Sequence, residues 1–163
     1  MITHGQGEHC GAYNRVIQAL KDSSYIIYAW DLVGHGRSEG KRGFISDFQH
    51  HIQNFLDIMT FIQQTEKCKI SLLSHSMGGM IQLASVTQPD FSFDNVDKLI
   101  FSAPFLDVAK PVPLYKDLAA IVIGRLFPKI TLPDGLENSM ITQDPLVQLE
   151  YNKDVYRHHW MSS

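Results

Sequence analysis

One serine in a glycine-flanked bend is the residue of this chain best placed to act as a nucleophile. Residues Ser71 to Gly79 read Ser-Leu-Leu-Ser-His-Ser-Met-Gly-Gly. The apolar run from Lys69 to Leu73 predicts a strand and Met80 to Val86 a helix, so Ser76 stands in the turn between them. Such a turn lifts a hydroxyl above a parallel sheet, provided small residues let the helix pass close to the strand. Gly78 and Gly79 supply that room. Ser74 takes the place of the first glycine in the G-x-S-x-G pattern. Attack on an acyl carbon puts charge on the carbonyl oxygen, which main-chain N–H groups must meet. Met77, directly after the serine, offers one. His4-Gly5-Gln6-Gly7-Glu8-His9, after the short strand-like start Met1-Ile2-Thr3, offers the other. There the Gln6 amide is the donor, and Gly5 and Gly7 let the backbone approach. The competing reading, anion binding at a helix N-terminus, needs no second donor loop.

The remaining polar residues suggest less. His4 and His35 belong to loop motifs and read as hydrogen-bonded structural residues, while His75 points away from its neighbour Ser76. His50 and His51 fall on the polar side of a helix and are expected in solvent. Metal binding lacks the His-x-x-x-His helical spacing. Gly34-His35-Gly36 lacks the rest of a dinucleotide fingerprint. Neither a metal nor a cofactor is expected.

The elements that must hold these residues alternate. Strands are predicted over 1–4, 25–30, 69–74 and 97–103, with helices over 11–21, 47–64 and 77–87; that order predicts βαβ units and a parallel sheet. The 47–64 helix has one apolar face, Phe48, Ile52, Phe55, Leu56, Met59 and Ile62, with Ser46 and Gln49 as a capping box. Beyond Pro104 the texture changes. Lys110-Pro111-Val112-Pro113 breaks the pattern, Leu114 to Phe127 predicts an amphipathic helix, and a short helix is expected near Pro145 to Tyr151. The division expected is a core over 1–105 and a cap over 106–163, whose apolar face lines an acyl tunnel and excludes water.

Three stretches together carry a resemblance: His4-Gly-Gln-Gly-Glu-His9, Ala29-Trp-Asp-Leu-Val-Gly-His-Gly-Arg-Ser-Glu-Gly40, and the Ser-His-Ser-Met-Gly-Gly turn. With Ser46-Asp47-Phe48, Ser102-Ala103-Pro104 and Lys116-Asp-Leu-Ala-Ala120, the chain resembles the monoacylglycerol lipase and lysophospholipase branch (serine aminopeptidase S33-like) of the α/β-hydrolases along nearly its whole length. The resemblance implies a partial α/β-hydrolase fold, a parallel sheet flanked by helices with a helical cap segment. It makes Ser76 the nucleophile and the Gln6 and Met77 amides the oxyanion hole. Gly5 and Glu8 fall on the substrate side, and Asp31 to Ser38 become a structural loop. Glu8 then reads two ways, as a head-group ligand or as a loop-stabilising salt bridge. Ala12 stands where monoacylglycerol lipases have an arginine.

The family's triad acid and histidine follow the serine, beyond the cap. Here the tail His158 to Ser163 reads as the end of a cap helix with no strand before it. The triad Asp and His are therefore expected outside this chain, as for an internal stretch of a hydrolase; the alternative set is His159 with Asp144 or Asp154. The activity implied is hydrolysis of monoacylglycerol or lysophospholipid-type esters without a cofactor. A general carboxylesterase, thioesterase or peptidase, and a non-catalytic remnant, are the alternatives.

Composition bounds these readings. The 163 residues carry 44% hydrophobic and 19% charged side chains, as ordinary globular domains do. A net charge of −3 gives no basic surface for nucleic acid. The two cysteines form no disulfide framework, which suggests a reducing, cytoplasmic setting. With no apolar run of about 18 residues, no membrane span is predicted; brief contact with a membrane surface through the cap is the remaining lipid-facing expectation.

Overall fold

The computed structural model describes residues 1–107, 122–127 and 129–162. Its centre is a four-stranded parallel sheet in the order β2-β1-β3-β4, with β1 at Ile2–Thr3, β2 at Ala29–Trp30, β3 at Ile70–His75 and β4 at Val96–Ser102. A 3-10 turn, Cys10–Tyr13, and helix α1, Asn14–Ala19, join β1 to β2. Helix α2, Phe48–Glu66, joins β2 to β3, and α3, Met77–Val86, joins β3 to β4. From β1 the chain moves outward to β2, then returns to the other side of β1 for β3 and β4. The two directions part between β1 and β3. The crevice beyond the carboxyl ends of such strands is where open α/β sheets bind ligands.

Strand β3 explains its own place. Ile70, Leu72 and Ser74 alternate onto a buried face, and pairing on both sides makes it, with β1, one of the sheet's two inner strands. On α2, Ile52, Phe55, Met59 and Ile62 are buried, and the last three join Leu32, Ile70, Leu72, Ile81 and Val86 in one core. Two expectations about α2 are corrected. Its N-cap is Asp47, whose carboxylate accepts from the Gln49 amide at 2.8 Å, while the Ser46 hydroxyl meets His50 Nδ1 instead. His51 is buried, at 2% exposure, because it lies one turn before Phe55 on the apolar face.

The strand expected at the sheet's edge shortens. Of 25–30 only Ala29–Trp30 is strand, since Ile2 pairs with Ala29 and β1 offers nothing opposite Tyr25 to Ile27. The cap helix expected over Leu114 to Phe127 falls mainly on residues outside the described ones; 122–126 (α4) are helical. Beyond it come β5, Thr131–Pro133, α5, Asn138–Ile141, α6, Pro145–Lys153, and β6, Trp160–Ser162. Asp144 caps α6 by accepting from Leu146 and Val147. The tail is not the end of a helix. Trp160–Ser162 within it is a strand, paired antiparallel with β5 through Leu132 and Met161.

Gln82 is a liability inside α3. It is fully buried, and neither Nε2 nor Oε1 has a hydrogen-bond partner among the described residues. A buried primary amide without partners costs about 1–3 kcal/mol, and methionine has nearly its shape. Gln82→Met is expected to raise the urea midpoint, equivalent to about 1–2 kcal/mol. A lower midpoint would show that the amide has a partner in solution.

Candidate active site

Strand register brings the two motifs together. Thr3 pairs with Ser74 across β1 and β3, so Gly5 and Ser76, each two residues further on, emerge side by side. A Cβ built on Gly5 would lie 3.0 Å from Ser76 Cβ and 3.3 Å from His75 Cδ2. A side chain there would press on the serine and on His75, and glycine lets the loop lie against them without that crowding.

Ser76 itself is strained. Its φ of 50° and ψ of −120° are a conformation that residues with a side chain rarely adopt. Three amides hold it there. Gly79, Met80 and Phe105 donate to the Ser76 carbonyl at 2.9, 3.2 and 3.0 Å, and its own N–H donates to Ser102 O at 3.1 Å. The hydroxyl does not cap α3. Intrahelical bonding begins with the amides that reach Ser76 O, so the Met77 and Gly78 N–H groups precede it. The glycines after Met77 are as crowded as their type demands. A Cβ on Gly78 would meet His4 O at 2.4 Å, and one on Gly79 would meet Pro104 Cβ at 2.8 Å.

The loop after β1 is tied down residue by residue. His4 is fully buried. Its Nδ1–H donates to Gly5 O at 2.7 Å, and its Nε2 accepts from the Leu32 amide at 3.0 Å. Burial pushes its pKa down, which keeps this one-donor, one-acceptor form. Glu8 N–H also donates to Gly5 O, at 3.3 Å. In a trans peptide the following N–H points opposite to that carbonyl, so the Gln6 amide faces away from His4. Glu8 Oε2 accepts from Gly5 N at 3.0 Å and from the Tyr13 hydroxyl at 2.9 Å. Burial and the Glu8 carboxylate push the Tyr13 phenol far up. Asp31 anchors the neighbouring loop, accepting from the Cys10 and Arg37 amides at 2.7 and 2.8 Å.

The histidines divide by partner. His75 Nδ1 faces Ser102 O at 2.9 Å, and His35 Nδ1 donates to Val33 O at 3.1 Å. His9 Nε2 meets Asp154 Oδ2 at 2.7 Å, so Asp154 serves His9 rather than His159. His159 Nδ1 lies 3.5 Å from Asp134 and is half exposed. Among the described residues no imidazole is hydrogen-bonded to the Ser76 hydroxyl. Arg157 was not foreseen: its guanidinium, 6% exposed, stands 3.5 Å from Glu8 Oε1 and 3.8 Å over the Tyr151 ring. With the partners 149 positions apart in sequence, no local pattern marks this contact. Among the described residues no cluster of His, Cys, Asp or Glu could hold a metal ion.

Comparisons with known proteins agree on the scaffold. The family model described as serine aminopeptidase, S33, matches residues 1–163. A monoglyceride lipase from Rattus norvegicus is 32% identical over 154 residues, 94% of this chain and 50% of its own length. Phospholipase YtpA of Bacillus subtilis is 29% identical over 157 residues, 96% of this chain and 60% of its own. The crystal structure of a monoacylglycerol lipase from Paleococcus ferrophilus superposes with a TM-score of 0.80 at 30% identity, covering 99% of this chain and 60% of that one. The chain thus spans about half the length of the curated relatives that it matches.

Proposed function

The chain belongs to the serine aminopeptidase S33 family, and on that premise we propose that it carries the nucleophile and oxyanion hole of a serine ester hydrolase for monoacylglycerol or lysophospholipid-type substrates. The observation that carries the reading is Ser76, held at φ 50° against Gly5 of the opposing loop. In the mechanism, Ser76 Oγ attacks the ester carbonyl, and the Gln6 and Met77 amides receive the charge that develops on its oxygen. The alcohol leaves with a proton, and water clears the acyl-enzyme. We assign the general base and its acid to residues outside this chain, because among the described residues no imidazole is hydrogen-bonded to the Ser76 hydroxyl.

Residues 106–163 form the cap in this reading. Exposed Leu126, Phe127 and Leu132 give it an apolar surface suited to a lipid-like substrate and to brief contact with a membrane surface. Among the described residues no helix is long and apolar enough to cross a membrane. A cytoplasmic site fits the two free cysteines.

The test is substrate choice. Protein expressed from the complete reading frame is assayed on p-nitrophenyl esters of rising chain length, a monoacylglycerol, a lysophospholipid and aminoacyl amides. Esters are expected to turn over at least about 100-fold faster than amides, since no feature of the loop grips an α-amino group. Faster cleavage of amides would overturn the lipid reading in favour of a peptidase.

A further inference from the structure

One continuous stretch meets the oxyanion loop residue by residue, in reverse order. Asp154 binds His9, Arg157 pairs with Glu8, and the His158 amide donates to Gly7 O at 3.1 Å. Trp160 O accepts from Gln6 Nε2 at 2.6 Å. The fit is close: a Cβ on Gly7 would lie 2.2 Å from His158 O. Further along, the Ser162 amide donates to Gly43 O at 2.7 Å. Most of these contacts use backbone or polar tips. Arg157 differs, because it places a buried guanidinium against a buried carboxylate.

That carboxylate is the link to the chemistry. Glu8 Oε2 is the acceptor for the Gly5 amide, and Gly5 is the residue that touches Ser76. A carboxylate shared among an amide, a phenol and a guanidinium has its orientation fixed by all three. Without the cation, a buried anion turns toward water or recruits another donor, and Gly5 loses its acceptor. Tyr151, stacked beneath the guanidinium, fixes the direction from which Arg157 approaches.

We propose that Arg157 is a positioning residue: by pairing with Glu8 it sets the Gly5–Gln6 peptide against Ser76, and so aligns the oxyanion hole from the far end of the chain. This rests on the hydrolase reading above. It also assigns Glu8 to holding the loop, not to gripping a head group.

The experiment compares Arg157→Leu and Arg157→Lys in protein from the complete reading frame. It reads kcat and KM on a p-nitrophenyl ester together with hydrogen exchange at the Gly5 and Gln6 amides. Arg157→Leu is expected to lower kcat about 10- to 100-fold, the scale of a misplaced donor, with KM within about threefold. Exchange at Gly5 is expected to rise about tenfold or more, and lysine to restore much of both. A rise in KM at unchanged kcat would overturn the proposal and make the pair a head-group site. Unchanged kcat and unchanged Gly5 exchange would overturn it too. If Arg157→Leu does not fold, Arg157→Gln, which keeps a donor and most of the buried stem, decides by the same measurements. Absence of ester turnover in the unsubstituted protein would sink the hydrolase reading alone, and exchange at Gly5 would then judge the positioning role by itself.

Discussion

Replacing Ser76 with glycine is expected to remove ester turnover and to stabilise the fold. Loss of the nucleophile should lower kcat about 10⁴- to 10⁶-fold, the range for a serine acting together with its base. The opposite change in stability follows from the backbone. Ser76 holds φ 50° and ψ −120°, and such a conformation costs a residue with a side chain about 1–3 kcal/mol. Glycine adopts it freely but loses about 0.5–1 kcal/mol more entropy on folding. The net gain is about 1 kcal/mol, or a rise in melting temperature of about 2–4 °C for a domain of this size. The three amides on the Ser76 carbonyl keep the turn in place in the variant, because none of them uses the side chain. Turnover within tenfold of the parent would remove Ser76 from the reaction. A lower melting temperature would show that the bend is not a source of strain.

The fold was most legible where it is local. Strand β3, the bend and α3 follow one another over Ile70 to Val86, and each is announced by its own residues: an apolar run, then two glycines, then a helix-forming stretch. The position of the His4–His9 loop, just after β1, was legible for the same reason. Its place beside Ser76 is a consequence of sheet order and register, which the alternation of elements implies but does not state. Where the structure departs from expectation, the cause is pairing or facing that local sequence does not encode. Residues 25–27 have strand composition and no partner in β1. Trp160–Ser162 is too short to show a period, and it is extended because Thr131–Pro133 lies beside it. His51 was misplaced by its polarity, although its spacing from Phe55 and Ile62 put it on the buried side.

Burial of that kind also couples His51 to His35. Both rings are 2% exposed. Burial and the neighbouring His4 push His35 down to about 3 and His51 down to about 4. His158, whose ring lies tilted against His35 with centroids 4.6 Å apart, is lowered as well, chiefly by burial. Inside this group, neutral rings pack together and protonated ones would repel.

Acid is therefore expected to unfold this chain well above the range in which carboxylates titrate. In the unfolded chain a histidine takes its proton near pH 6.5; folded, these rings resist protonation down to about 4 and about 3. The unfolded state binds more protons between those values, so stability rises with pH across the window. The contribution is complete above about 6.5 and is lost as pH falls from there toward the folded values. At pH 5 each of the two rings costs about 2 kcal/mol, and the pair about 4, a large share of a typical domain's stability. Asp31, lowered from 3.8, loses its contribution only below that value and cannot produce the effect. Melting temperatures measured from pH 8 to pH 4.5 should hold level to about 6.5 and then fall steeply. His51→Phe, which keeps an aromatic ring against Phe48, should remove about half of the fall while leaving the pH 8 value nearly unchanged. A level profile down to pH 5 would mean that these rings reach water in solution, and the tight packing of His4, His35 and His51 behind the loop after β1 would have to be abandoned.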